Sequence, residues 1–136
     1  MTIDACKAIV GEYALPIAQV LGLGSWSLSF EYDSDCGNYG SVIVSADHHC
    51  AEINIDPEVH GSKAEVLNTI LHELVHVVNY PLERFREYVF EHTKGATCEI
   101  LDTIGLSASE QLVTAWMGIL NQCLGLTPAK LARKAQ

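Results

Sequence analysis

Ile70-Leu-His72-Glu73-Leu-Val-His76-Val-Val-Asn79 is the stretch on which the reading of this chain turns. Its aliphatic positions, with Val66 and Leu67 before them, recur at helical spacing, so the segment reads as a helix. His72 and His76 are i and i+4 on it and lie one turn apart on one face. Two imidazoles so placed can share one tetrahedral zinc ion, with Zn–N near ~2.0–2.1 Å. Glu73 is turned about 100° from His72 by the helix period. It therefore reaches the open coordination position instead of the metal, where it can take a proton from a water acidified by zinc.

The helix has a readable start. Ser62-Lys-Ala-Glu65 fits a capping box, and Pro57 to Gly61 breaks the chain before it. Pro81 is expected to end it. Upstream, Ile3 to Leu21 carries apolar residues at helical spacing, with Pro16 inside and Gly22 and Gly24 closing it. Trp26, Leu28, Phe30 and Tyr32 alternate with Ser27, Ser29, Glu31 and Asp33, which predicts a half-buried strand. Ser34 to Gly40 reads as a turn, Val42 to Val44 as a second strand, and Asp47-His48-His49 as a loop. Ala51 to Asp56 alternates again as a third strand. Downstream, helical segments are expected near 82–92, 96–104 and 108–123, punctuated by Gly95, Gly105 and Gly125, with a short tail opened by Thr127-Pro128. The expected class is α+β over a single domain, residues 1–136: helix plus small three-stranded sheet (1–61), metal-binding helix (62–80) and a helical part (81–136).

Composition narrows the function. The 136 residues are 49% hydrophobic and 18% charged, enough apolar surface to fold and too little length for two ordinary domains. Eight basic against seventeen acidic residues leave a net charge of −9, which argues against nucleic acid as a partner. No apolar run reaches membrane-spanning length, and Met1 to Val10 lacks the pattern of a secretory leader, so a cytoplasmic protein is expected. Cys6, Cys36, Cys50, Cys98 and Cys123 are odd in number, widely spaced and without a CxxC pair, and read as free thiols.

The His72-Glu73-x-x-His76 string resembles the catalytic helix of the zincin metallopeptidases. Leu21-Gly-Leu-Gly-Ser-Trp26, Ala51-Glu-Ile-Asn-Ile55, the motif and Glu110-Gln-Leu-Val-Thr-Ala-Trp116 together look like the short single-domain zincin-like proteins of phages and prophages, over about residues 15–124. The resemblance implies Zn2+ as cofactor, a peptide or protein as substrate, Glu73 as general base and a substrate strand along an edge strand, here Ala51 to Asp56. It also implies a third protein ligand. Val77 to Leu82 holds no His, so the metzincin type is excluded and a gluzincin-like Glu from a later helix is expected.

Glu91, Glu99 and Glu110 compete for that place, with Asp102 and His92 as outsiders. Glu99 and Glu91 fall off the apolar stripes of their segments and read as solvent-facing. Glu110 aligns with Val113, Thr114, Met117, Leu120 and Leu124 and projects toward apolar surface, where a carboxylate needs a partner. Ser107-Ala-Ser-Glu110 also fits a capping box, in which Glu110 would cap its own helix. Glu110 is thus the expected ligand and Glu99 the alternative.

The resemblance further offers His92 or Tyr80 as a group polarising the substrate carbonyl. A packed or exposed side chain is the plainer reading of each. His48 and His49, with Asp47 and Cys50, read as a polar loop before a second metal site, and His60 as a turn. Two readings from other classes stand beside the peptidase. One is a zincin-like metal-binding protein without peptidase activity, acting as a phage-encoded protein-interaction module. The other is a purely structural domain that holds no metal.

Overall fold

A computed structural model describes residues 1–34, 38–92 and 96–120; the side chains of 86, 89, 90, 96–99, 101 and 102 also lie outside the described set. The order is α1 (Ile3–Val20), β1 (Ser27–Tyr32), β2 (Gly40–Ser45), a 3-10 turn (Ala46–His48), β3 (Cys50–Ile55), α2 (Lys63–His92) and α3 (Ala96–Gly118). The expected α+β class and the three short strands are therefore present.

Local chemistry explains the element ends. The Thr2 hydroxyl caps α1 at the Ala5 N–H, 3.3 Å away. At the other end Gly22 takes φ +81°, and the Leu23 and Gly22 N–H groups close back on the Ala18 and Gln19 carbonyls. This is a Schellman stop, which favours glycine at the left-handed residue. The capping box before α2 forms as expected. The Glu65 carboxylate accepts from the Gly61 and Ser62 N–H groups at 2.6 and 3.0 Å, and the Ser62 hydroxyl caps the Glu65 N–H at 3.3 Å. Those two backbone donors hold the Glu65 pKa below the usual carboxylate range.

β3 is central. The sheet order is β1-β3-β2, with β1 parallel and β2 antiparallel to β3. This corrects the expectation that Ala51 to Asp56 is an edge strand, and the reason is burial. Ala51, Ile53 and Ile55 are fully packed against helices on one face, and such a strand is best shielded with neighbours on both sides. The free edge toward α2 belongs to β2.

Two breaks expected downstream do not occur. α2 runs through Pro81 to His92, and α3 runs through Gly105 to Gly118. Proline removes one backbone donor but keeps a helical φ, and glycine costs only about 1 kcal/mol in a helix; packing of α2 against α3 outweighs both. Consequently Ser107 and Glu110 lie inside α3, and the capping-box reading of Glu110 falls. Residues 119 and 120 continue as a wider helical turn, while the expected tail at Thr127-Pro128 lies outside the described residues.

One buried cluster joins the inner faces. Cys6, Val10 and Ile17 of α1 meet Ile53 and Ile55 of β3, Ile70, Leu71 and Leu74 of α2, and Val113 with Leu120 at the far side. Leu82 and Phe85 of α2 and Ile100 and Ile104 of α3 are exposed. Cys6 and Cys50 are free thiols, and Cys36, Cys98 and Cys123 are outside the described side chains. Among the described residues no helix is long and apolar enough to cross a membrane.

Candidate metal centre

The motif helix presents its two histidines as the i, i+4 spacing requires. His72 Nε2 and His76 Nε2 are 3.2 Å apart. α3 crosses this face and brings in Glu110. Its Oε2 lies 3.5 Å from His72 Nε2 and its Oε1 lies 3.3 Å from His76 Nε2. The two carboxylate contacts are made by different oxygens of Glu110, and the three side chains form a ligand triangle in which one donor atom from each lies within 4.8 Å of the others. Ligand atoms around a tetrahedral zinc stand about 3.3–3.6 Å from one another, given bonds of roughly 2.0–2.2 Å. The contact between the imidazoles and the contact of each imidazole with a carboxylate oxygen are close to that spacing, so the three side chains stand near enough to share one ion. The donors, two imidazole nitrogens and a carboxylate oxygen, are a set that zinc accepts with a fourth position left for water or substrate.

Of the expected ligands, His72, His76 and Glu110 are brought together, and among the described residues they form one metal-competent group. Glu110 was expected to project toward apolar surface. Its side chain is instead 55% exposed, at the mouth of the cleft. The side chains of Glu99 and Asp102 lie outside the described residues, and the Glu99 backbone is three turns back along α3. Glu91 and His92 end α2, about 20 Å or more along the helix axis from His76. His92 stacks on Tyr88 and bonds the Tyr88 carbonyl at 2.8 Å. Neither His92 nor Tyr80 is among the residues lining the cleft: the helix carries His92 far along its axis, and Tyr80 lies one turn beyond His76. Among the described residues His48 and His49 belong to no metal group; His49 stacks on Trp26 with its backbone at φ 48°.

A cleft of about 790 Å³ opens at the triangle. Tyr39, Gly40, Ser41 and Val42 form one wall, Asn68, Thr69 and Glu73 of α2 the floor, and Met117 of α3 the far side. Glu73 is buried, 5% exposed, and burial pushes its carboxyl up to about 7, with Glu110 and Glu83 adding to the rise and His76 opposing it. Burial also holds the His72 pKa below its ordinary value, helped by His76. At His76 burial acts the same way, but the Glu83 hydrogen bond and the carboxylates around it prevail, and the pKa rises.

Three residues of this centre were not anticipated. Glu83 bonds His76 Nδ1 at 2.9 Å and the Ser109 hydroxyl at 2.7 Å. Its place seven residues after His76, on the same helix face, was the available signal. His60, expected in a turn, is 1% exposed and bridges the Asp56 carbonyl and the Thr69 hydroxyl, 2.8 Å from the latter. Gly40, read only as a turn residue, lies against Glu73. No local pattern marks either.

No protein-family model matches this chain, and neither does any curated protein or solved structure.

Proposed function

We propose that this protein is a zinc-dependent metallopeptidase, with the ion held by His72, His76 and Glu110 and with Glu73 as general base. The observation that carries the reading is the convergence of His72, His76 and Glu110, the last from a different helix, with one donor atom from each within 4.8 Å of the others. When bound, zinc would supply a Lewis acid that polarises the scissile carbonyl and makes water a stronger acid. The chain's own residues do the proton work. Glu73 takes a proton from the attacking water as the new C–O bond forms at the carbonyl carbon. It returns that proton to the amide nitrogen as the C–N bond breaks, so the products are a carboxylate and an amine.

The substrate strand belongs on β2. The Asp56 N–H donates to the Tyr39 carbonyl, so this pair is hydrogen-bonded across the ladder. Alternation then turns the backbone groups of Gly40, Val42 and Val44 to the free edge. Gly40 and Val42 line the cleft, where an extended peptide adds as a fourth strand and passes the metal ligands. A second reading, a metal-binding interaction module without hydrolysis, draws on Phe85, Tyr88, Ile100 and Ile104, all more than half exposed.

Elemental analysis of protein purified without chelator or a His tag, followed by a peptide-library digest read by mass spectrometry, tests the proposal. One zinc per chain, with cleavage abolished in Glu73→Gln and metal retained, is the expected result. Equal cleavage by Glu73→Gln overturns the mechanism, and zinc without any cleavage favours the interaction module.

A further inference from the structure

Glu83 does more than occupy the surface beside the motif. Its side chain is 25% exposed, that of His76 12%, and one oxygen, Oε1, meets both the His76 Nδ1 and the Ser109 hydroxyl. A carboxylate only accepts, so both neighbours donate to it. The His76 proton then sits on Nδ1, and Nε2 keeps its lone pair toward the ligand triangle. The second bond acts on the other helix. Ser109 immediately precedes Glu110, so the contact that holds Ser109 also holds the backbone from which Glu110 reaches His72 and His76.

Few described side chains of α3 are buried: only Ser109 and Val113, whereas Ile100, Ile104, Leu106 and Trp116 are exposed. Apolar contact is non-directional and leaves the rotation of a helix about its axis weakly set. A short hydrogen bond to an acidic acceptor is directional, and it falls one residue from the ligand. Glu83 is not itself at the triangle, because its contact is with the nitrogen of His76 that faces away from it.

We propose that Glu83 is the positioning residue of this centre, setting the tautomer of His76 and, through Ser109, the place of Glu110 across two helices. The inference rests on the metal reading given above. Ser109 acts only through Glu83, so removing both should be little worse than removing Glu83 alone.

The test uses the full chain as wild type, Glu83→Leu, which leaves no acceptor, Ser109→Ala, the double variant and Ser109→Thr. Zinc affinity is measured by competition with a chromophoric chelator, the visible spectrum is taken with cobalt(II) in place of zinc, and the His76 ring nitrogens are followed by NMR in the metal-free protein. Glu83→Leu and Ser109→Ala should each weaken zinc by about 10–100-fold. The double variant should be little worse than Glu83→Leu, and Ser109→Thr, which keeps the hydroxyl, should recover most of the affinity. The cobalt spectrum should change in Glu83→Leu, and His76 should lose its preference for the Nδ1–H form. A merely structural role moves thermal stability without altering the tautomer or the cobalt spectrum. Zinc affinity within twofold of wild type in both single variants, or an unchanged tautomer in Glu83→Leu, overturns the inference while the metal reading stands. A wild-type chain that binds no zinc overturns both.

Discussion

Gly40 sits so close to Glu73 that a Cβ there would stand 3.1 Å from Glu73 Oε1 and 2.7 Å from Thr69 Cγ2. β2 and α2 can approach this closely only without a side chain at that point. Gly40→Ala must push the strand or the α2 side chains away, and overpacking of this kind costs about 1–3 kcal/mol. Urea unfolding should report that loss, and peptide cleavage should fall as well if the displaced neighbour is the general base proposed above. A variant as stable and as active as wild type would show that the approach is not needed.

The buried Glu73 makes the metal-free protein sensitive to pH in a defined direction. Its folded pKa is near 7 against an ordinary 4.5. Below 4.5 both states hold the proton. Between 4.5 and 7 the unfolded chain has lost it and the folded chain has not, so stability falls as pH rises across that window. The total is about 3 kcal/mol, at 1.36 kcal/mol for each pKa unit. Glu73→Gln should flatten this part of the stability–pH curve and be the more stable protein at pH 8. Parallel curves for the two proteins would refute the assignment.

Zinc binding should be lost in His72→Ala and weakened in Glu110→Gln, since one removes an imidazole and the other a charged donor. Saturating zinc should raise the thermal midpoint of wild type in proportion to RT ln(1 + [L]/Kd). Scanning calorimetry with and without zinc checks this, and the gain should shrink strongly in Glu110→Gln. Zinc retained by Glu110→Gln at wild-type affinity would move the third ligand elsewhere, with Glu99 next to test.

His60 ties the loop before α2 to the helix through the Asp56 carbonyl and the Thr69 hydroxyl. His60→Ala leaves a cavity and strands a buried hydroxyl, which should cost about 2–4 kcal/mol. Chemical denaturation measures the loss. Thr69→Val removes one of those bonds with little change of volume and should cost less. A His60→Ala protein within 0.5 kcal/mol of wild type, about the size of an ordinary surface substitution, would mean the bridge contributes little.

Much of this molecule is legible locally. Alternation marks β1 and β3, Gly22 marks the end of α1, and Ser62 with Glu65 marks the start of α2, because each signal depends on neighbours within a turn or two. Helix continuity through Pro81 and Gly105 was misread. Both residues are weak formers on their own, and contact between α2 and α3 overrides that preference. The placement of β3 was misread because alternation says which face is buried and nothing about which strands lie beside it.

The pairing of His72 with His76, and the separate direction of Glu73, follow from the helical period and were determined by the sequence by itself. Tertiary structure alone decided that Glu110 closes the triangle, that Glu83 and Ser109 brace it, that Gly40 packs on Glu73, and that β2 borders the cleft. The physical reason is range. Spacing along one helix is set by local backbone geometry, whereas the meeting of two helices and a strand edge is set by the burial of residues far apart in the chain.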